Sequence, residues 1–95
     1  MRIELSAFIE GDLSVIADFI AEGAPVRAVT FIQEIRACFA RIGKDPLLYQ
    51  LRPDIGSDAR VAVVGRYVIL FRIRDEIVKI ERVLYGGRDL PNLML

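Results

Sequence analysis

The chain offers few side chains that could do covalent chemistry. It holds no His, so a Ser–His–Asp triad, a Cys–His pair and an imidazole general base are all excluded. Cys38 is its single cysteine, which rules out an internal disulfide and a cysteine-built zinc site. Cys38 lies in a helical stretch beside an apolar stripe and reads as a small buried hydrophobe rather than a nucleophile. Asp75 and Glu76 are adjacent carboxylates, but they fall between two strand-like runs and read as a solvated hairpin turn. Tyr49, Tyr67 and Tyr85 read as amphipathic packing residues, not as acids. Gly86-Gly87 is too little to make a phosphate-cradling loop. No metal, cofactor or catalytic residue is implied.

What remains is a set of arginines. Arg60, Arg66, Arg72, Arg74, Arg82 and Arg88 crowd the C-terminal part of the sequence, and the planar guanidinium suits bidentate contact with carboxylate or phosphate. The overall balance conceals them: 13 basic and 13 acidic residues give zero net charge. Residues 1–59 carry six basic against nine acidic side chains, and residues 60–88 carry seven against three. Either the arginines keep one face of a sheet soluble, or they form a surface for an acidic partner or nucleic acid. Zero net charge argues against strong sequence-independent binding to nucleic acid. The apolar tail, Leu90, Leu93, Met94 and Leu95, either folds back on the sheet or lies in a partner interface.

The elements that must position these residues can be read from periodicity. At 95 residues the chain forms one domain, residues 1–95, and 54% hydrophobic content with 27% charged residues excludes a disordered chain. No apolar run exceeds five residues, far short of the ~20 that a membrane helix needs. Glu4 stands where a signal peptide would begin its apolar stretch, so a soluble, cytoplasmic protein without membrane contact is expected. Residues 3–8 read as a short strand. Gly11-Asp12 breaks it, with Asp12 capping a helix that carries Leu13, Ile16, Ala17 and Ile20 at helical spacing and stops at Gly23. Pro25 opens a second helix whose stripe is Val26, Val29, Ile32, Ile35, Phe39 and Ile42, ending at Gly43. The short break between the two predicts an antiparallel helical hairpin. Residues 44–58 read as irregular, anchored by Tyr49, Leu51 and Ile55. Strands follow at 60–64, 67–74 and 77–85. On the last, Val78, Ile80, Arg82 and Leu84 form the better core face, with Arg82 interrupting it. The order β-α-α-β-β-β makes an α+β fold, with the helical hairpin on one face of a mainly antiparallel sheet.

Laid out in this order, the motifs resemble a known family. Val64-Gly65-Arg66-Tyr67-Val68-Ile69-Leu70-Phe71-Arg72-Ile73-Arg74 resembles the central strands of ParE-type toxins, members of the RelE/ParE superfamily of bacterial toxin–antitoxin modules. Ile80 to Leu90, Ile-Glu-Arg-Val-Leu-Tyr-Gly-Gly-Arg-Asp-Leu, is similar to that family's C-terminal signature, Arg-Val-Leu-His-Gly-x-Arg-Asp-Leu. Asp12-Leu13 with Ile16 and Ile20, Pro25 with Ala28, and Arg52 to Gly56 with Arg60 fit the regions upstream. Tyr85 stands where the family usually has His, so a role needing an imidazole does not transfer, whereas ring stacking or hydrogen bonding does. The resemblance implies a RelE/ParE-like fold and a protein that poisons DNA gyrase, stalling it on cleaved DNA. It also implies a ParD-like antitoxin that silences the toxin in a hetero-oligomer, with DNA reached only through antitoxin or gyrase. The functional surface then comprises Arg66, Arg72, Arg82, Tyr85, Arg88, Leu90, Leu93 and Met94. RelE-type relatives share the fold but cut messenger RNA. By rough alignment Arg88 matches one of their basic residues, Val61, Val63 and Val68 fall where others would stand, and Met94 falls near their C-terminal Tyr. Valines supply neither charge stabilisation nor proton transfer, which favours gyrase poisoning over RNA cleavage. An inactive member that only binds antitoxin is the remaining alternative.

Overall fold

Ser6 decides where the first strand ends. In the computed structural model of the chain, which describes residues 1–87 and 90–93, strand β1 spans only Arg2–Leu5. The Ser6 hydroxyl then accepts the Phe8 N–H at 3.2 Å and donates to the Glu81 carbonyl at 2.6 Å. This turns the chain, and helix α1 runs Ile9–Ala21. The expected strand over 3–8 is therefore shorter, and Asp12 is not a cap: it already lies in the first turn, its N–H donating to the Phe8 carbonyl at 2.9 Å. Helix α2, Pro25–Lys44, opens on its proline as expected. It buries Ala28, Phe31, Ile35, Cys38, Phe39 and Ile42, while Val26 and Val29 of the expected stripe are exposed. Two apolar series overlap in the first half of this helix and join at Ile35, and the one that includes small Ala28 faces inward. Gly43 does not stop α2. It sits in the last turn because a Cβ there would lie 2.7 Å from the Ile3 side chain of β1.

The segment after α2 contributes a two-residue strand, β2 (Gln50–Leu51), where irregular chain was expected. Strands β3 (Arg60–Val64), β4 (Tyr67–Arg74) and β5 (Ile77–Tyr85) follow at the expected boundaries. They form a five-stranded mixed sheet in the order β1-β5-β4-β3-β2. Pairing is antiparallel throughout except that β1 runs parallel to β5, in register Arg2↔Ile77 to Leu5↔Ile80. A last helical turn, α3, spans Leu90–Leu93.

A β-bulge divides β5. Leu70 pairs with Arg82 but the next residue, Phe71, pairs with Ile80, so Glu81 is the extra residue. An extra residue shifts side-chain alternation by one, which changes the face on which every later residue lies. Val78 and Ile80 face the helices, and beyond the bulge Val83 does so in place of Leu84. The expected continuous face Val78, Ile80, Arg82, Leu84 is thus split. The helix-side core joins Ile9, Leu13, Ile16, Ile35, Phe39 and Ile42 to Ile69, Phe71, Val78, Ile80 and Val83. The opposite face is not open: Val61, Val68, Leu70 and Leu84 are covered by Ile55, Ala59 and Leu90. The sheet is therefore the middle of three layers.

The β4–β5 turn confirms Asp75 and Glu76 as turn residues, at φ of 53° and 61°. A two-residue turn with both central residues left-handed favours Asn-Gly, because other side chains crowd the backbone there. The double substitution Asp75→Asn with Glu76→Gly is expected to raise stability by about 1 kcal/mol. The check is a higher urea midpoint at unchanged denaturant sensitivity.

Candidate functional site

At one end of the molecule the helical hairpin and the sheet diverge, leaving an open groove of about 780 Å³. Val15, Ile16, Phe19 and Ile20 of α1 form one wall, and Arg27 and Phe31 of α2 close the end. Arg66 and Tyr67, from the β3–β4 turn and β4, face Arg82 to Tyr85 of β5 across the floor. The lining is aromatic and aliphatic with three arginines and one aspartate, which suits an apolar ligand that also carries negative charge.

The aromatic floor is built by short-range packing. Tyr67 meets Phe31 at 5.6 Å between ring centroids and Tyr85 edge-on at 5.8 Å, both within the attractive range for tilted aromatic pairs. Gly65 allows this. Its φ of +58° is one that glycine adopts without strain, and a Cβ there would stand 3.2 Å from the Phe31 ring. Tyr85 faces the groove because the bulge has turned this half of β5 over. Its ring also lies back against Gly87, where a Cβ would be 2.5 Å from a ring carbon.

Asp12 fastens the groove's wall to its floor. Its carboxylate accepts Nε and Nη2 of Arg82, both at 2.9 Å, and the Val83 backbone N–H at 3.0 Å. The pair is largely sheltered, with side-chain exposures of 11% for Asp12 and 26% for Arg82. Beside this carboxylate the Arg82 guanidinium is held even further above its ordinary pKa. The guanidinium carbon also lies 4.9 Å from the Phe8 ring centroid, a cation–π distance. One carboxylate thus ties α1 to the bulged part of β5, where β1 no longer covers the strand.

The expected functional residues fall in different places. Arg66, Arg82 and Tyr85 meet in the groove. Arg66 is exposed and has no ion pair with a described residue, whereas Arg82 is committed to Asp12. Arg72 lies elsewhere: it pairs with Asp58 at 2.7 Å, and Arg74 pairs with the same carboxylate at 2.9 Å. The hydrogen bond from Arg74 holds the Asp58 carboxyl below its usual pKa range. Leu90 folds back into the second core, 4% exposed. Arg88, Met94 and the Leu93 side chain lie outside the described residues. Cys38 is buried, and burial pushes its thiol pKa up, as befits a packing residue. Among the described residues no cluster of His, Cys, Asp or Glu could hold a metal, and no helix is long and apolar enough to cross a membrane.

Sequence reasoning missed Asp12, Phe19, Arg27 and Phe31 as parts of this site. A signal existed for Phe19. Together with Val15 it puts apolar surface on the polar side of α1, and both are 67% exposed.

A family model described as the ParE toxin of the type II toxin–antitoxin system parDE matches residues 3–90. Among solved structures, the chromosomal ParDE toxin–antitoxin system from P. aeruginosa superposes with a TM-score of 0.79 at 18% identity, covering 90% of this chain and 95% of that one. At that identity the likeness speaks for the fold. A search among curated proteins found no match. Because the family's model spans nearly the whole sheet and both long helices, the chain belongs to the ParE toxin family of type II toxin–antitoxin systems.

Proposed function

We propose that this toxin arrests growth in the cytoplasm by binding DNA gyrase and stalling it on cleaved DNA, without catalysis of its own. A ParD-like antitoxin silences it by laying an amphipathic segment into the groove, with its acids meeting Arg66 and Arg27. The observation that carries the non-catalytic reading is the placement of the valines. Val61 and Val68, at two of the three positions where RNA-cutting relatives would hold basic residues, are packed into the second core, while Val63, at the third, is exposed but supplies neither charge nor a proton. Changing the two packed valines to catalytic types would require rebuilding that core. The groove's apolar lining and basic rim support the antitoxin reading.

The test uses purified gyrase and plasmid. Adding the chain is expected to yield linear DNA once the enzyme is denatured, and adding antitoxin should abolish that product. Normal supercoiling with no cleaved DNA from a folded sample would overturn the gyrase reading, as would discrete messenger-RNA ends after induction. For the groove, Phe19→Asp is expected to weaken antitoxin binding at least about tenfold. Titration calorimetry on the variant checks this. Phe19 is 67% exposed, so the fold should persist.

A further inference from the structure

We propose that the outer face of the helical hairpin, along the seam between α1 and α2, is where the toxin meets gyrase. The occupant it fits is a helix of gyrase whose apolar side is rimmed by Lys or Arg. This assignment rests on gyrase being the target, as proposed above.

A shallow trough of about 460 Å³ lies along that seam, lined by residues of α1 and α2 alone. Ala17, Ala21, Pro25, Val29 and Ile32 supply its apolar surface. None of its lining residues also lines the groove. Val29 is 59% exposed, and Val26, one turn earlier, is 79% exposed. Two such valines on one side of a helix leave apolar surface that no described residue covers. The alanines on the α1 side let a third helix approach closely.

The rim of this trough is acidic. Asp18 lines it and Glu22 follows one turn later. Both are exposed, and neither makes an ion pair with a described residue. Arg36 is the one cation among the lining residues, and Glu10 takes it in two hydrogen bonds, at 3.1 and 3.0 Å. Asp18 and Glu22 also stand at the unfavourable end of their helix. The C-terminal end of α1 is the negative end of the backbone dipole, and its last turn holds no basic residue. Acids placed there cost stability until a cation meets them, a local conflict of the kind that marks a binding surface.

The groove has the opposite character. Asp12 is taken by Arg82 and Arg27 is shared with Glu34, which leaves Arg66 without a described partner. A toxin silenced by an antitoxin has two partners to hold. An acidic antitoxin segment suits the basic-rimmed groove and is repelled from the trough. The trough is left for the target, and its rim calls for cations. Both surfaces share α1, a helix about 10 Å across, so a large partner on one side crowds the other. An antitoxin in the groove can therefore silence the toxin without touching the trough.

Titrating the chain into purified gyrase and plasmid, and reading linear DNA after denaturation, tests this. Val29→Lys should raise the toxin concentration needed for half-maximal cleavage at least about tenfold. Asp18→Lys with Glu22→Lys should do the same, and Asp18→Asn with Glu22→Gln should fall between that pair and wild type. All three variants should keep the wild-type circular dichroism spectrum and bind antitoxin as tightly as wild type by titration calorimetry, since none of the changed residues lines the groove. A wild-type chain that produces no linear DNA removes gyrase as the target and this assignment with it. Linear DNA from wild type and from Val29→Lys at equal concentrations overturns the assignment alone and leaves gyrase as the target. A lysine pair that poisons as well as wild type overturns the charge match. A folded variant that loses antitoxin together with gyrase overturns the separation of the two surfaces.

Discussion

Asp12→Ala is expected to destabilise the protein by about 2–3 kcal/mol. The change removes the acceptor of two guanidinium bonds and of the Val83 N–H. Arg82 would be left partly sheltered without its counter-charge. Residual exposure of the pair lets water screen part of the loss, which keeps the figure below that of a fully buried pair. The effect should not be confined to stability. Asp12 ties α1 to the bulged half of β5, so the groove should loosen and antitoxin binding weaken even where the variant is folded. Asp12→Asn retains an acceptor for the Val83 N–H but loses the charge, and should fall between wild type and Asp12→Ala. Pairing Asp12→Ala with Arg82→Met removes both charges, and the double variant should lose less than the sum of the singles. Urea denaturation of the wild type, Asp12→Ala, Asp12→Asn, Arg82→Met and the double variant measures this. A loss under about 0.5 kcal/mol for Asp12→Ala, the range of ordinary surface changes, would show that the bridge is incidental.

Gly65→Val should cost about 2–5 kcal/mol, from two independent sources. A β-branched residue at φ of +58° is strained whatever its neighbours are. Its side chain would also press on the Phe31 ring, which supports Tyr67 and through it Tyr85. The two causes can be separated. Asn tolerates the left-handed conformation but still carries a Cβ 3.2 Å from Phe31, so Gly65→Asn should retain the smaller, contact-dependent part of the loss. Adding Phe31→Leu to each variant tests that part directly. If Gly65→Val and Gly65→Asn lose equal stability, backbone strain is not a contributor.

Much of this was legible in the sequence because it is local. Pro25 marked the start of α2, and β4 showed as a run with apolar residues on both faces, which matches its burial between two cores. What escaped was long-range. Asp12 looks like a helix cap from its neighbours, and only the return of β5, 70 residues later, gives it Arg82. Alternation in β5 was read straight through Glu81, because a bulge leaves no mark in the residue types. In α2 the expected stripe holds from Ile35 onward, but ahead of it Val26-Val29-Ile32 and Ala28-Phe31 both lead into Ile35 at steps of three or four, so spacing alone does not say which faces inward. The groove was partly visible in Arg66, Arg82 and Tyr85, but its helical wall was not, since exposed Val15 and Phe19 count toward hydrophobicity without entering the core.

The parallel pairing of β1 with β5 joins Arg2 to Ile77 and Leu5 to Ile80. Contacts at such separation are closed late, since the intervening chain must be ordered first. During synthesis β1 leaves the ribosome early and finds no partner until β5 has been made and released. A prematurely terminated chain lacking β5 lacks half of the groove's floor as well as the strand that holds β1. For a protein whose proposed action is harmful to its maker, this topology delays competence until β5 has been made and paired with β1.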